Sequence, residues 1–65
     1  MFVIKQIEGH YPGWYVAPPG QDKSYVKHLE DAQVWASREV AEEEKCGNEV
    51  VLRLEDCLKG TGRPR

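Results

Sequence analysis

Ser37-Arg38-Glu39-Val40-Ala41-Glu42-Glu43-Glu44-Lys45-Cys46-Gly47-Asn48-Glu49-Val50-Val51-Leu52-Arg53-Leu54-Glu55 is the stretch whose reading decides the fold. A serine ahead of a helix accepts a hydrogen bond from an otherwise orphaned N–H, and Glu39 sets a carboxylate in the first turn, where it complements the helix dipole. Together they predict a short helix from Arg38 to Cys46. Leu29, Ala32, Ala36 and Val40 also recur at three- and four-residue spacing, which would carry the helix back to about Glu30. The β-prone pair Val34-Trp35, and the poor fit of Ser37 to a helix interior, favour the shorter version. Gly47-Asn48 then supplies the stop, because both residues tolerate the left-handed conformation that ends helices. Beyond it Val50, Leu52 and Leu54 alternate with Val51, Arg53 and Glu55, the period of a half-buried strand.

Upstream, Phe2-Val3-Ile4-Lys5-Gln6-Ile7 is rich in β-branched and aromatic residues and runs into Gly9, His10, Tyr11, Pro12 and Gly13, a strand followed by a turn. Trp14-Tyr15-Val16-Ala17 has strand propensity and is halted by Pro18-Pro19-Gly20, since proline cannot donate to a ladder. The two segments form a β-hairpin. Tyr25-Val26-Lys27-His28-Leu29 reads either as a short third strand or as an extended loop edge. Downstream, Lys59-Gly60-Thr61-Gly62-Arg63-Pro64-Arg65 offers no apolar residue to bury and reads as a disordered basic tail over 59–65. The order β-β-(β)-α-β predicts a single α+β domain over 1–58. A mostly antiparallel sheet of three to four strands carries one helix on one face and buries Ile4, Ile7, Val16, Val40, Ala41, Val50, Leu52 and Leu54.

The 65 residues leave room for one core, and a core of that size supplies no more than about 3–5 kcal/mol, which keeps homodimer formation in view. With 40% hydrophobic and 31% charged residues the chain is expected to fold rather than stay disordered. No apolar run approaches the roughly 20 residues that span a bilayer, and the start lacks the pattern of a secretory signal, so no membrane and a cytoplasmic location are expected. Cys46 and Cys57 read as thiols at the core or its fringe. With His10 and His28 they make a Cys2His2 set whose members lie outside the short spacings of a zinc site, so neither a metal nor a cofactor is expected.

Charge is spread unevenly. Residues 1–29 carry three lysines against two acids, residues 30–58 three bases against nine acids, and residues 59–65 three bases, for a formal net charge of −2. No pair of carboxylates and no nucleophile beside a base can be argued from the sequence, and His10 and His28 read as surface histidines, so an enzyme is not expected. Two binding readings stand instead. Glu39, Glu42, Glu43 and Glu44 on one short helix form an acidic surface suited to a basic partner, with Trp14 or Tyr25 as exposed aromatic contacts; simple solubility is the bland alternative. Tyr11, Trp14, Tyr15 and Tyr25, with Lys5, Lys23 and Lys27 near them in sequence, could make a stacking platform for single-stranded nucleic acid, against the plainer view that the large aromatics fill the core.

Trp14-Tyr15-Val16, Gly20, Ser24-Tyr25-Val26-Lys27, Leu29-Glu30-Asp31-Ala32, Trp35, Ser37-Arg38-Glu39, Ala41-Glu42 and Asn48-Glu49-Val50-Val51 together resemble small accessory proteins encoded by bacteriophages and prophages, over about residues 2 to 55. In these a β-hairpin leads through a leucine-acid-aspartate-alanine stretch into a short helix and a last strand. The resemblance carries no catalytic residue. It implies a protein that works in the bacterial cytoplasm by binding a host protein or protein complex, a class that includes inhibitors of host defence such as anti-CRISPR proteins. A nucleic-acid-binding accessory protein and a dimerising structural domain are the alternatives.

Overall fold

Strand β1, Phe2–Gln6, is the axis on which the other elements assemble. A computed structural model describes residues 1–20 and 24–61 of the chain. On one side β1 pairs with β4, Glu49–Arg53, antiparallel and in full register from Phe2 opposite Arg53 to Gln6 opposite Glu49. On the other it pairs with β2, Tyr15–Val16, through Lys5 and Tyr15. Strand β3, Tyr25–Val26, adds to β2 and completes an antiparallel sheet in the order β3-β2-β1-β4. The chain is an α+β fold, and Tyr25 and Val26 do pair into the sheet.

The turn between β1 and β2 is fixed by backbone geometry that only glycine accepts cheaply. Gly9 has a φ of +121°, and a Cβ there would come within 3.1 Å of both Gln6 Oε1 and Asn48 Nδ2. Asn48 Nδ2 in turn donates to Glu8 O at 2.9 Å, tying the turn to the loop that precedes β4.

After β3, Leu29–Asp31 forms a single 3-10 turn rather than the start of a long helix. The following residues stay extended because Trp35 bridges to the edge of β1, with Phe2 N–H donating to Trp35 O at 2.7 Å and Trp35 N–H to Phe2 O at 2.8 Å. Helix α1 then spans Arg38–Glu44, with Ser37 as N-cap accepting from Val40 N. The short version of the helix is the one that forms, but it ends at Glu44 rather than Cys46: Lys45 is already extended, and neither Gly47 nor Asn48 takes the left-handed conformation expected of a stop.

Register assigns the two faces of the sheet, because paired residues in an antiparallel ladder share a face. Phe2, Ile4, Gln6, Val16, Tyr25, Glu49, Val51 and Arg53 lie on the side of α1, where Ile4, Ala41 and Val51 form the buried core with Phe2, Val16 and Trp35 packed against it. Val3, Lys5, Tyr15, Val26, Val50 and Leu52 lie on the other. A second helix, α2, Leu54–Thr61, starts directly at the end of β4. Its Cys57 comes close enough to Lys5 and Tyr15 for their charges to act on one another, which sets α2 against the second face, where Val3 is fully buried.

Several expectations are corrected here. The strand stops at Arg53, so Leu54 belongs to α2, a helix the sequence reading did not contain. Residues 59–61, expected in the tail, continue that helix, and the remainder of the expected tail, 62–65, lies outside the described residues. On β4 it is Glu49 and Val51 that are buried, whereas Val50 and Leu52 are half-buried on the face toward α2. Val40 is exposed because Ala41, about 100° further round the helix, is the residue that points at the sheet. Ile7 follows the last residue of β1 and is half exposed.

Candidate functional site

The side of the sheet that carries α1 also carries a network of buried polar groups. Gln6 and Glu49 stand opposite each other in register and are 3% and 5% exposed, figures at which an unsatisfied polar group is costly. Gln6 Oε1 accepts from Tyr11 N at 2.6 Å, which holds the tip of the first turn over the sheet. Glu49 Oε1 accepts from Cys46 N at 2.8 Å, and Oε2 accepts from the Tyr25 hydroxyl. These bonds are neutral-to-charged, the stronger kind. The Tyr25 phenol is held above the ordinary tyrosine value, first by its bond to Glu49 and then by burial, with a contact from Gln6 acting the other way.

That network positions a cluster of rings. The Tyr11 ring lies 4.9 Å from Trp14 and 5.9 Å from Tyr25, both tilted at 38°, within the range of favourable aromatic pairs. Tyr11 is 46% exposed while Trp14 and Tyr25 are half-buried, so the cluster presents a partly open aromatic surface rather than a core. Beside it runs a cleft of about 300 Å3. Ile4 and Val16 line it from the sheet, Tyr25 and Trp35 supply aromatic walls, and Glu44 and Glu49 supply carboxylates.

The residues expected to bind a partner are therefore only partly united. Trp14 and Tyr25 meet through Tyr11, and Glu44 joins them across the cleft. Glu42 pairs instead with Arg38 at 3.8 Å, an exposed ion pair one helical turn long. Glu39 and Glu43 are exposed and lie on the side of α1 away from Ala41, as the helical period requires. The acidic helix is thus a solvated ridge with one residue, Glu44, turned into the cleft.

The aromatic and basic residues of the stacking platform are divided between the two faces. Lys5 Nζ sits 6.0 Å from the centre of the Tyr15 ring on the face toward α2. Lys27 lines a second, larger groove of about 510 Å3 on that same side, together with Tyr15, His28, Leu29, Val34 and Leu54. Lys23 lies outside the described residues. On the α2 face, Tyr15 is held above the ordinary phenol value by burial and then by Cys57, and burial likewise pushes the Cys57 thiol up, with Lys5 partly offsetting it.

Sequence reading missed Glu49, Gln6 and Trp35 as parts of the site, while Tyr11 belongs to the expected aromatic cluster and does join Trp14 and Tyr25. Glu49 and Gln6 look like solvent-facing strand residues, and only the register that places both beneath α1 and Tyr25 reveals their burial. Cys46, expected at the core or its fringe, is exposed, while Cys57 is half-buried, and among the described residues no group of three histidine, cysteine or acidic side chains could hold a metal ion. Among the same residues no helix is long and apolar enough to cross a membrane. Comparison of the chain with protein-family models, with curated proteins and with solved structures finds no match.

Proposed function

We propose that this chain is an accessory binding module that acts by docking a protein partner on the α1 side of its sheet. The observation that carries the reading is the Tyr11–Trp14–Tyr25 ring cluster, partly open to solvent and continuous through Tyr25 with an acidic cleft. Large rigid aromatics beside a pocket are the residue types that dominate protein interfaces, and carboxylates at the margin favour a basic partner. The separation of Lys5 and Lys27 from these rings favours protein over nucleic acid as the ligand. The resemblance to phage and prophage accessory proteins supports a host protein as the partner. An inhibitor of a host defence complex, seated on the basic surface that such a complex uses for nucleic acid, is the most specific form of this reading.

The test is affinity capture of the tagged full chain from bacterial lysate treated with nuclease, read by mass spectrometry. A protein partner recovered by the wild-type chain, and lost or at least tenfold depleted with Trp14→Ala, is the expected result. Recovery that disappears with nuclease treatment assigns the surface to nucleic acid instead, and recovery of this chain alone assigns it to self-association.

A further inference from the structure

We propose that the cleft between α1 and the β2–β3 side of the sheet takes a single arginine side chain of the partner, its guanidinium meeting Glu49 and Glu44 between the rings of Tyr25 and Trp35. This rests on the reading of the chain as a protein-binding module and names what that partner must offer.

Size comes first. At about 300 Å3 the cleft stands at the bottom of the roughly 300–1,000 Å3 range of small-molecule sites, enough for one long side chain and little more. Ile4 and Val16 give it an apolar floor along which the methylene stem of such a side chain can lie. Charge comes next. Glu49 is 5% exposed, yet among the described residues no lysine, arginine or histidine nitrogen lies within 4.0 Å of its carboxylate. Its two bonds come from neutral donors, the Cys46 N–H and the Tyr25 hydroxyl, which satisfy hydrogen bonding but leave the negative charge uncompensated. Each carboxylate oxygen has two acceptor sites, so one on each oxygen is still available to a further donor. The walls then choose between cations. A planar, weakly hydrated guanidinium stacks on aromatic faces and addresses a carboxylate with paired N–H groups, where a compact ammonium does neither. Glu44, exposed at the rim, adds a second carboxylate on the way in. The raised Tyr25 phenol stays protonated at neutral pH and keeps donating to Glu49, so the carboxylate is held in place before the guanidinium arrives.

The experiment is a titration of the full chain, labelled with 15N, with N-acetyl-arginine amide and with its uncharged isostere N-acetyl-citrulline amide. Saturable shifts at the Cys46 and Glu49 amides and at the Trp35 indole N–H are expected with the arginine compound, and binding at least tenfold weaker with citrulline. Glu49→Gln is expected to weaken arginine binding roughly tenfold, in keeping with the loss of a charge-assisted bond. Glu44→Gln, at an exposed position that leaves the fold untouched, is expected to weaken it roughly threefold and keeps the test decisive should Glu49→Gln unfold. Shifts of equal size with citrulline, or no shift confined to the cleft, overturn the proposal. A protein partner captured with unchanged strength by both variants removes the arginine anchor while leaving the protein-binding reading in place; absence of any captured protein removes both.

Discussion

Glu49 shows how one side chain can couple a fold to a surface. A carboxylate taken out of water needs donors, and this one finds them on two separate pieces of chain, the Cys46 amide at the end of the helix connection and the Tyr25 hydroxyl on the far strand of the sheet. The bond to Tyr25 therefore ties the edge strand β3 to β4 across the face of the sheet and orients a ring of the candidate interface. Removing the donor leaves a buried charged acceptor short of a partner, an effect of about 1–3 kcal/mol. Tyr25→Phe is accordingly expected to lower the stability of the chain by that amount, measured by urea unfolding at pH 7. The alkaline behaviour follows from the same bond. Because the folded phenol titrates above the ordinary value of 10.0, the protonated form contributes stability that is complete below pH 10 and is lost as pH rises through the folded-state value. Tyr15 is shifted in the same direction by burial, so Tyr25→Phe is expected to remove part of the stability loss above pH 10 and leave the remainder, a difference visible in unfolding midpoints measured between pH 8 and 11.

At the scale of elements, the second helix decides whether the sheet has one wet face or two dry ones. Leu54–Thr61 covers the side that bears Val3, Val50 and Leu52, and Val3 is fully buried as a result. Burying one such side chain is worth about 1.5–3 kcal/mol, and a domain of this length has about 3–5 kcal/mol in total. Loss of the cover over three apolar residues is thus comparable to the whole stability. A chain ending at Arg53 is expected to lose its cooperative thermal transition, followed by far-ultraviolet circular dichroism, whereas Ser37→Ala, which removes only the cap of α1, is expected to cost about 0.5–2 kcal/mol and retain it. This asymmetry also explains what the sequence made legible. The N-cap at Ser37 and the first hairpin are local signals written in residue chemistry, and they are where helix α1 begins and strands β1 and β2 lie; the stop expected at Gly47-Asn48 is not the one used, since α1 already ends at Glu44 with Lys45 extended. The phase of β4 is not local. Val50 and Leu52 alternate with Glu49 and Val51, and when both faces of a strand are covered the alternation marks the period without saying which face holds the larger core. Helix α2 was hidden for a related reason, since Leu54-Glu55 completes the strand pattern and Lys59-Gly60 reads as the beginning of a tail. Of the site, the aromatic members Tyr11, Trp14 and Tyr25 were legible as residue types. Gln6 and Glu49 were not, because nothing in a sequence announces that a strand carboxylate will meet a tyrosine from the opposite edge of the sheet.

For the molecule as a whole, charge and aromatic surface divide the work of binding between rate of arrival and length of stay. The excess of nine acids over three bases in residues 30–58 sets a negative field around α1, while Glu39 and Glu43 stand exposed on its outer side without touching the ring cluster. Exposed charges of this kind act over about 8–10 Å at physiological salt and steer an oppositely charged partner during approach, whereas desolvated contacts at the centre of an interface determine how slowly the complex separates. Once a protein partner is in hand, surface plasmon resonance can separate the two. Replacing Glu39 and Glu43 with lysine is expected to lower the association rate several-fold at low salt, to leave the dissociation rate within a factor of two, and to flatten the dependence of association on ionic strength. Trp14→Ala is expected to do the reverse, raising the dissociation rate at least tenfold with little change in salt dependence. An outcome in which the helix substitutions act mainly on dissociation would place Glu39 and Glu43 in direct contact with the partner and move the interface from the ring cluster onto the outer ridge of α1.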